Sequence, residues 1–303
     1  MLLGAHFSIR KSLGDALAAA AALGCEVVQT LGYRRHEFYF DAKIAPGVKE
    51  RLADEVAEWR RVLAASNIRY VAIHSRAVAL LSLKEMARRA GAIDNFQKEI
   101  ELARLLGASA YVFHLGPYTA GLTREEGVTL AARSLVHVLR ELPKGAPQIL
   151  LENVPGGGRR LGATIEEIAS LVEQLGASAG KVGICLDVAH TWTAGYAIDT
   201  LEGIAGFFEK FKQHLDLGMV KAFHLNNSKL KRGCHLDEHA HLQDGVVKPE
   251  VYAYLMRGFP LAAGILETPK EPEGSDKRNL DFLRSLDDTV NKEADWSRGG
   301  SNP

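Results

Sequence analysis

Apolar residues in this chain cluster into short runs that stop at a histidine, aspartate or glutamate. Longer stretches of helical period separate the runs. Eight runs read as strands: residues 2–7, 25–31, 70–75, 110–115, 148–153, 182–187, 219–225 and 262–267. They are continuously apolar and rich in β-branched and aromatic residues, as strands covered on both faces require. Helical patterns lie between them at 12–23, 47–65, 82–106, 123–142, 165–175, 199–214, 248–257 and 276–286. Leu-Gly pairs ending at Gly24, Gly107 and Gly176 precede strands, and glycine there can take the left-handed conformation that terminates a helix. Eight strand-then-helix units in strict alternation predict an α/β fold, a closed (β/α)8 TIM barrel in a single domain over residues 1–287. An open doubly wound sheet would call for a GxGxxG turn after the first strand, and GAHFSIR is not one. From about residue 288, through NKEADWSRGGSNP, periodicity is lost, so residues 288–303 are read as a C-terminal tail without fixed structure.

The bulk numbers change this picture little. The 303 residues are 47% hydrophobic and 24% charged, ordinary for a globular protein. The 37 basic and 37 acidic residues cancel, which argues against nucleic acid only until bound metal is counted; three divalent cations would add about six positive charges to one pocket. Cys25, Cys185 and Cys234 are an odd, widely spaced set without a CxxC pair, pointing to a reducing compartment. No run approaches a membrane span, and MLLGAHFSIRKS lacks the order of a secretory signal. The expectation is a cytoplasmic enzyme.

Candidate chemistry sits where the runs stop. His74, His114, Glu152, Asp187, His190, His224, Asp237, His239 and Glu267 lie at or just beyond strands three to eight. In a parallel barrel all strand C-termini face one way, and that face carries the active site. Asp187 ends strand six, with His190 three residues on in the following loop; Asp237 and His239 are two apart in the loop after strand seven. In an extended segment such a pair points the same way. Imidazoles with carboxylates and no thiolates suit zinc or a similar divalent ion. A lone strand-end histidine is more often a core residue, but an ionised carboxylate at Glu152 or Glu267 needs a counter-charge, and the repetition at one topological position is improbable by accident. Nine ligands exceed one tetrahedral site. With a bridging carboxylate they fit two or three ions, and paired metals favour phosphoester hydrolysis.

The segments GAHFS, AIHS, FHLG, LLENV with the following GGG, GICLDVAHTWTAGY, FHLNNSK, LDEHAHLQDG and ILETPK together resemble the endonuclease IV family, in order over roughly residues 1–287. The resemblance implies a xylose-isomerase-like barrel acting on double-stranded DNA at abasic sites, with three zinc ions per chain (manganese or iron at some sites being an alternative). By motif position, His74 and His114 would hold the first zinc and Glu152 would bridge to the second. Asp187, His224 and Glu267 would complete the second, and His190, Asp237 and His239 the third. Glu152 and Glu267 are the expected catalytic carboxylates. The family reaction is hydrolysis of the phosphodiester 5′ to the abasic site, leaving a 3′-hydroxyl and a 5′-deoxyribose phosphate in base excision repair. The chain is expected to act as a monomer.

Basic residues crowd the loops of the predicted catalytic face: Arg10, Lys11, Arg34, Arg35, Arg76, Arg159, Arg160, Lys229, Lys231, Arg232 and Lys270. Phosphate contact is their functional reading. The family pattern is broken twice. Loop two reads LGYRRHEFY, and Ala77 stands where a tyrosine is usual; Tyr33 and Arg34 are therefore expected to supply the wedge into the base stack, with Arg76, Lys229 and Arg232 as further DNA contacts. Asn227 replaces a usual aspartate in HLNNSK. His6 is a candidate supporting residue, His36, His235 and His241 are read as loop residues, and Cys185 is expected inside the barrel. Gly156, Gly157 and Gly158 lack the Lys-Ser/Thr of a phosphate-binding P-loop. The alternative is a single-metal sugar isomerase or epimerase on the same barrel, since fold does not fix function.

Overall fold

Each apolar run becomes a strand because its β-branched and aliphatic side chains can be buried on both faces. A computed structural model describes residues 1–9, 11–33, 48–76 and 79–286. The strands are β1 (Leu2–His6), β2 (Val27–Leu31), β3 (Tyr70–His74), β4 (Ala110–Phe113), β5 (Gln148–Glu152), β6 (Val182–Asp187), β7 (Val220–Leu225) and β8 (Ala263–Leu266). All pair in parallel in sequence order, and β8 returns to β1 in the register Leu2↔Ala263 through Ala5↔Leu266, closing an eight-stranded barrel. Helices α1 (Leu13–Ala22), α2 (Val48–Ala64), α3 (Met86–Leu105), α4 (Arg124–Arg140) and α5 (Ile165–Leu175) follow the first five strands. A short α6 (Val188–Thr193), α7 (Leu201–Lys212) and α8 (Pro249–Gly258) complete the ring, with α9 over 275–286 after β8. Thr123 and Thr164 start α4 and α5 with capping boxes closed by Glu126 and Glu167, satisfying amides that a helix start leaves unpaired. Gly24 and Gly107 hold φ of 65° and 70°, as the Leu-Gly stops predict, whereas Gly176, with φ 55° and ψ −126°, leads into a 3-10 turn over Gly176–Lys181 before β6.

Several boundaries differ from the sequence reading. β4 and β8 end one residue before His114 and Glu267, α3 begins at Met86 rather than 82, and the loop expected to carry His190 is the helix α6. The tail read at 288–303 lies outside the described residues.

Side chains alternate across each strand, so the barrel interior is built in layers. One inner cluster holds Val27, Ala72, Ala110, Val112, Leu150, Cys185, Ala222, Ala263 and Ile265, with Cys185 inside as expected. Two residues further along the same faces come Gln29, His74, His114, Glu152, Asp187, His224 and Glu267, and β1 ends on His6. Every strand thus brings one polar residue to the mouth.

Candidate metal centre at the barrel mouth

Glu152, at the end of β5, is the hub of the mouth and is almost completely buried. Its Oε2 lies 2.8 Å from His74 Nε2 and 2.8 Å from His114 Nε2. Its Oε1 lies 2.8 Å from His224 Nδ1 and 3.4 Å from His190 Nδ1. The two oxygens therefore face different histidines, the geometry a bridging carboxylate needs. Three groups have donor atoms mutually within 4.8 Å and could each hold an ion: His74 with His114 and Glu152; Glu152 with Asp187, His224 and Glu267; and Asp187 with His190 and His239. Asp237 joins the last, its Oδ1 3.2 Å from His190 Nε2 and 3.6 Å from His239 Nε2. All nine sequence-derived candidates converge. Asp187, expected in the second group alone, also reaches the third: its Oδ2 is 3.7 Å from His224 Nδ1 and 3.6 Å from His239 Nε2.

The hydrogen bonds of the histidines test whether cations fit. His74 Nδ1 lies 2.8 Å from the Ser75 carbonyl, and His190 Nδ1 lies 2.9 Å from the Asn153 carbonyl. Carbonyls only accept, so these nitrogens carry the proton and Nε2 is left as a lone pair. Those lone pairs point at carboxylates, which also only accept. The Nε2 atoms of His114, His190 and His239 are buried without a hydrogen-bond partner, although carboxylate oxygens lie close by. Lone pairs and anions facing one another need a positive charge between them, supplied by protons or by metal. His241 is the contrast. Its Nε2 meets the Glu271 carbonyl at 2.9 Å and its Nδ1 meets the Asn279 amide nitrogen at 3.1 Å, one acceptor and one donor, so the neutral ring is satisfied and it is no ligand.

Electrostatics follow the same geometry. Burial works against ionisation of Glu152 and Glu267, but the facing imidazoles, His114 and His224 for the first and His224 and His6 for the second, hold both carboxyls well below their ordinary range. Burial likewise opposes charge on His190, yet Asp187, Asp237 and Glu152 raise it well above the usual imidazole value. His190 holds the Asp237 carboxyl down.

Local structure explains the ligand spacing. Asp187 is the N-cap of α6 and accepts the His190 amide at 2.7 Å through Oδ1, which sets the three-residue step between them. Its Oδ2 receives the Asn226 side-chain amide at 2.7 Å, and its backbone amide donates to Asn153 Oδ1 at 2.7 Å. Asn227 brackets the loop after β7 that carries Asp237 and His239: its amide group donates to the Leu242 and Val247 carbonyls, and its Oδ1 accepts from Ser228 and Val247. Its backbone pairs both ways with Ala240, beside His239. An aspartate could not make the two donations, so the departure at 227 is built into this loop. Sequence reasoning missed Gln29, Asn153 and Asn226, which touch ligands without carrying a ligand's chemistry. Only their place, one residue past a strand end for Asn153 and Asn226 and inside β2 for Gln29, could have flagged them.

A cavity of about 1060 Å³ opens outward from His74 and His114, lined among others by Arg76, Arg159, Arg160 and His235. His235 holds φ of 60° and its Nδ1 donates to the Pro155 carbonyl at 2.8 Å. The glycine run makes room for it: a Cβ at Gly157 would come 3.0 Å from His235 Cβ. Lys229 and Arg232 are exposed on the loop after β7, and Arg232 lies over the Trp192 ring, 5.9 Å from its centroid. Tyr33 is a correction. It is only 4% exposed and its hydroxyl donates to Glu99 at 2.6 Å, so it is packed inside rather than presented as a wedge. Arg10, Arg34, Arg35, His36 and Ala77 lie outside the described residues.

Residues 17–286 match the family model described as xylose isomerase-like TIM barrel. A "Probable endonuclease 4" from Solibacter usitatus is 32% identical over 293 residues, covering 94% of this chain and 97% of that protein. The crystal structure of endonuclease IV from Thermus thermophilus superimposes with a TM-score of 0.77 at 27% identity, covering 95% of this chain and all of that one. A D-tagatose 3-epimerase-like protein, 18% identical with a TM-score of 0.72, shares the fold alone. With its barrel and mouth residues in order, the chain belongs to the xylose isomerase-like TIM barrels and, among them, to the endonuclease IV family.

Proposed function

We propose that the protein is a metal-dependent DNA repair endonuclease that hydrolyses the phosphodiester 5′ to an abasic site, leaving a 3′-hydroxyl and a 5′-deoxyribose phosphate. The observation that carries this reading is the sharing of Glu152 and Asp187 among three ligand groups in one mouth. In it His74, His114 and Glu152 hold the first ion, Glu152, Asp187, His224 and Glu267 the second, and His190, Asp237 and His239 the third, with Asp187 at the border of the last two. When bound, zinc (or manganese or iron at some sites) would supply a hydroxide near neutral pH and positive charge for the phosphate and the leaving oxygen. Glu152 keeps two groups in one rigid anionic frame, and Glu267 places a second carboxylate against His224, 3.6 Å away.

Arg76, Lys229 and Arg232, with Arg159 and Arg160 on the cavity wall, are placed to meet backbone phosphates of a duplex. A baseless sugar costs less to draw into the mouth than a paired nucleotide. The chain is proposed to act as a cytoplasmic monomer. Its three cysteines are free, and among the described residues no helix is long and apolar enough to cross a membrane.

A single-metal isomerase would be served by Glu152, Asp187, His224 and Glu267 alone, leaving His74, His114, His190, Asp237 and His239 without a task. Purified protein incubated with a duplex bearing one abasic analogue should incise on the 5′ side of the lesion. A chelator should stop the reaction, and metal analysis should give about three ions per chain. A fully metallated protein that leaves the duplex intact would overturn the proposal.

A further inference from the structure

Gln29 is the neutral amide in the mouth layer, and it is completely buried. Its Oε1 lies 3.0 Å from His224 Nε2, while its Nε2 faces Glu267 Oε1 and, at 3.0 Å, His6 Nδ1. A carboxylate oxygen only accepts, so the amide must turn its NH2 end to Glu267. That leaves the carbonyl end for His224, whose proton must then sit on Nε2. With that proton on Nε2, Nδ1 is the nitrogen left to meet a cation, and Glu152 Oε1 at 2.8 Å, Glu267 Oε2 at 3.6 Å and Asp187 Oδ2 at 3.7 Å stand around it. The same amide nitrogen lies 3.0 Å from His6 Nδ1, beside Glu267.

We infer that Gln29 is the positioning residue of the second ligand group. Its one amide decides which His224 nitrogen faces the ion. It also holds Glu267 by Oε1, leaving Oε2 turned inward. The inference rests on the metal-centre reading and deepens it. An apolar side chain of the same length would strand a buried imidazole N–H and a half-buried carboxylate oxygen and would leave the His224 tautomer unset. Removing such a partner typically weakens metal affinity about 10–100-fold.

The test compares Gln29→Met with Val28→Ala, a fully buried neighbour on the opposite face of β2 whose truncation lowers stability without touching a ligand. Zinc affinities are measured by competition with a chromophoric chelator, alongside unfolding of the metal-free proteins and imidazole 15N spectra of the zinc-loaded wild type. Gln29→Met should weaken one of the three zinc sites about 10–100-fold and spare the others. Val28→Ala should melt earlier with all affinities kept, and His224 should carry a slowly exchanging Nε2–H in the wild type. Wild-type affinities in Gln29→Met, or a wild-type His224 protonated on Nδ1, would overturn the inference. Should Gln29→Met fail to fold, the wild-type spectrum decides alone. A wild type that takes up no zinc would instead remove the metal-centre reading itself.

Discussion

Along six of the eight strands, two residues separate opposite solutions to burial. Ala72, Val112, Leu150, Cys185, Ala222 and Ile265 form an apolar layer; His74, His114, Glu152, Asp187, His224 and Glu267 form the layer above it on the same faces. The lower layer needs only to fill space at the density of a packed interior. The upper layer surrounds imidazole lone pairs with carboxylates, and three ring nitrogens of the mouth are left without a hydrogen-bond partner. Depth in the barrel therefore does not distinguish core from site. What distinguishes them is whether each donor and acceptor is satisfied by the protein alone, as in His241, or requires a cation, as in His190.

The largest effect should come from the hub of the upper layer. Glu152→Gln removes the charge shared by His74, His114 and His224, and incision of an abasic duplex should fall on the order of 10³-fold. Metal analysis should show loss from the first two groups. One step down, Leu150→Ala should cost about 2–5 kcal/mol of unfolding free energy as a cavity mutation, with metal content and incision per folded molecule retained. If Leu150→Ala lost metal as Glu152→Gln does, the two layers would not be separable.

A smaller effect tests the loop that carries the third group. Asn227→Asp sets a carboxylate against the Leu242 and Val247 carbonyls in place of two donations. Each buried group left unpaired costs about 1–3 kcal/mol, so thermal melting should fall clearly and the third ion should be held more weakly. A variant that melts with the parent would show that the loop accommodates an aspartate. At the rim, Arg232→Ala should weaken duplex binding only several-fold and reduce the salt slope of the binding constant by about one, as loss of one phosphate contact predicts. Titration of binding against salt measures this, and an unchanged slope would take Arg232 out of the DNA face.

The strands and the nine candidate ligands were legible because two periodicities coincide. An apolar run fixes a buried strand, and the pleat fixes which residue at its end looks inward, so His74, Glu152, Asp187 and His224 could be placed from the chain alone. Gln29 was not legible. A glutamine inside VVQTL looks like a chance polar residue until the closed barrel sets it against His224 and Glu267. Asn153 and Asn226 were hidden for the same reason, since their worth lies in the partner and not in the side chain. The helical setting of His190 depended on Asp187 serving also as an N-cap, a local bond that ligand spacing alone does not reveal. Tyr33 failed in the other direction. Its place beside a loop suggested a surface role, but the apolar ring and the Glu99 carboxylate gave it a better one inside.

The smallest effect concerns the far end of the barrel, where the contrast with the mouth should be chemical silence. Cys25 precedes β2 on the side away from the ligands, and burial pushes its thiol up to about 11. At pH 8 its reactive thiolate would be about one part in a thousand. Iodoacetamide should therefore label the half-buried Cys234 and spare Cys25 until the chain unfolds, as peptide mass spectrometry can follow. The sign of the linked stability is set by the raised value. Between about pH 9 and 11 the unfolded chain has lost the thiol proton while the folded one keeps it, so unfolding should become easier as pH rises through that window. Labelling of Cys25 at pH 8 as fast as Cys234 would mean that this end of the barrel opens readily, and the division into an inert floor and a charged mouth would not hold.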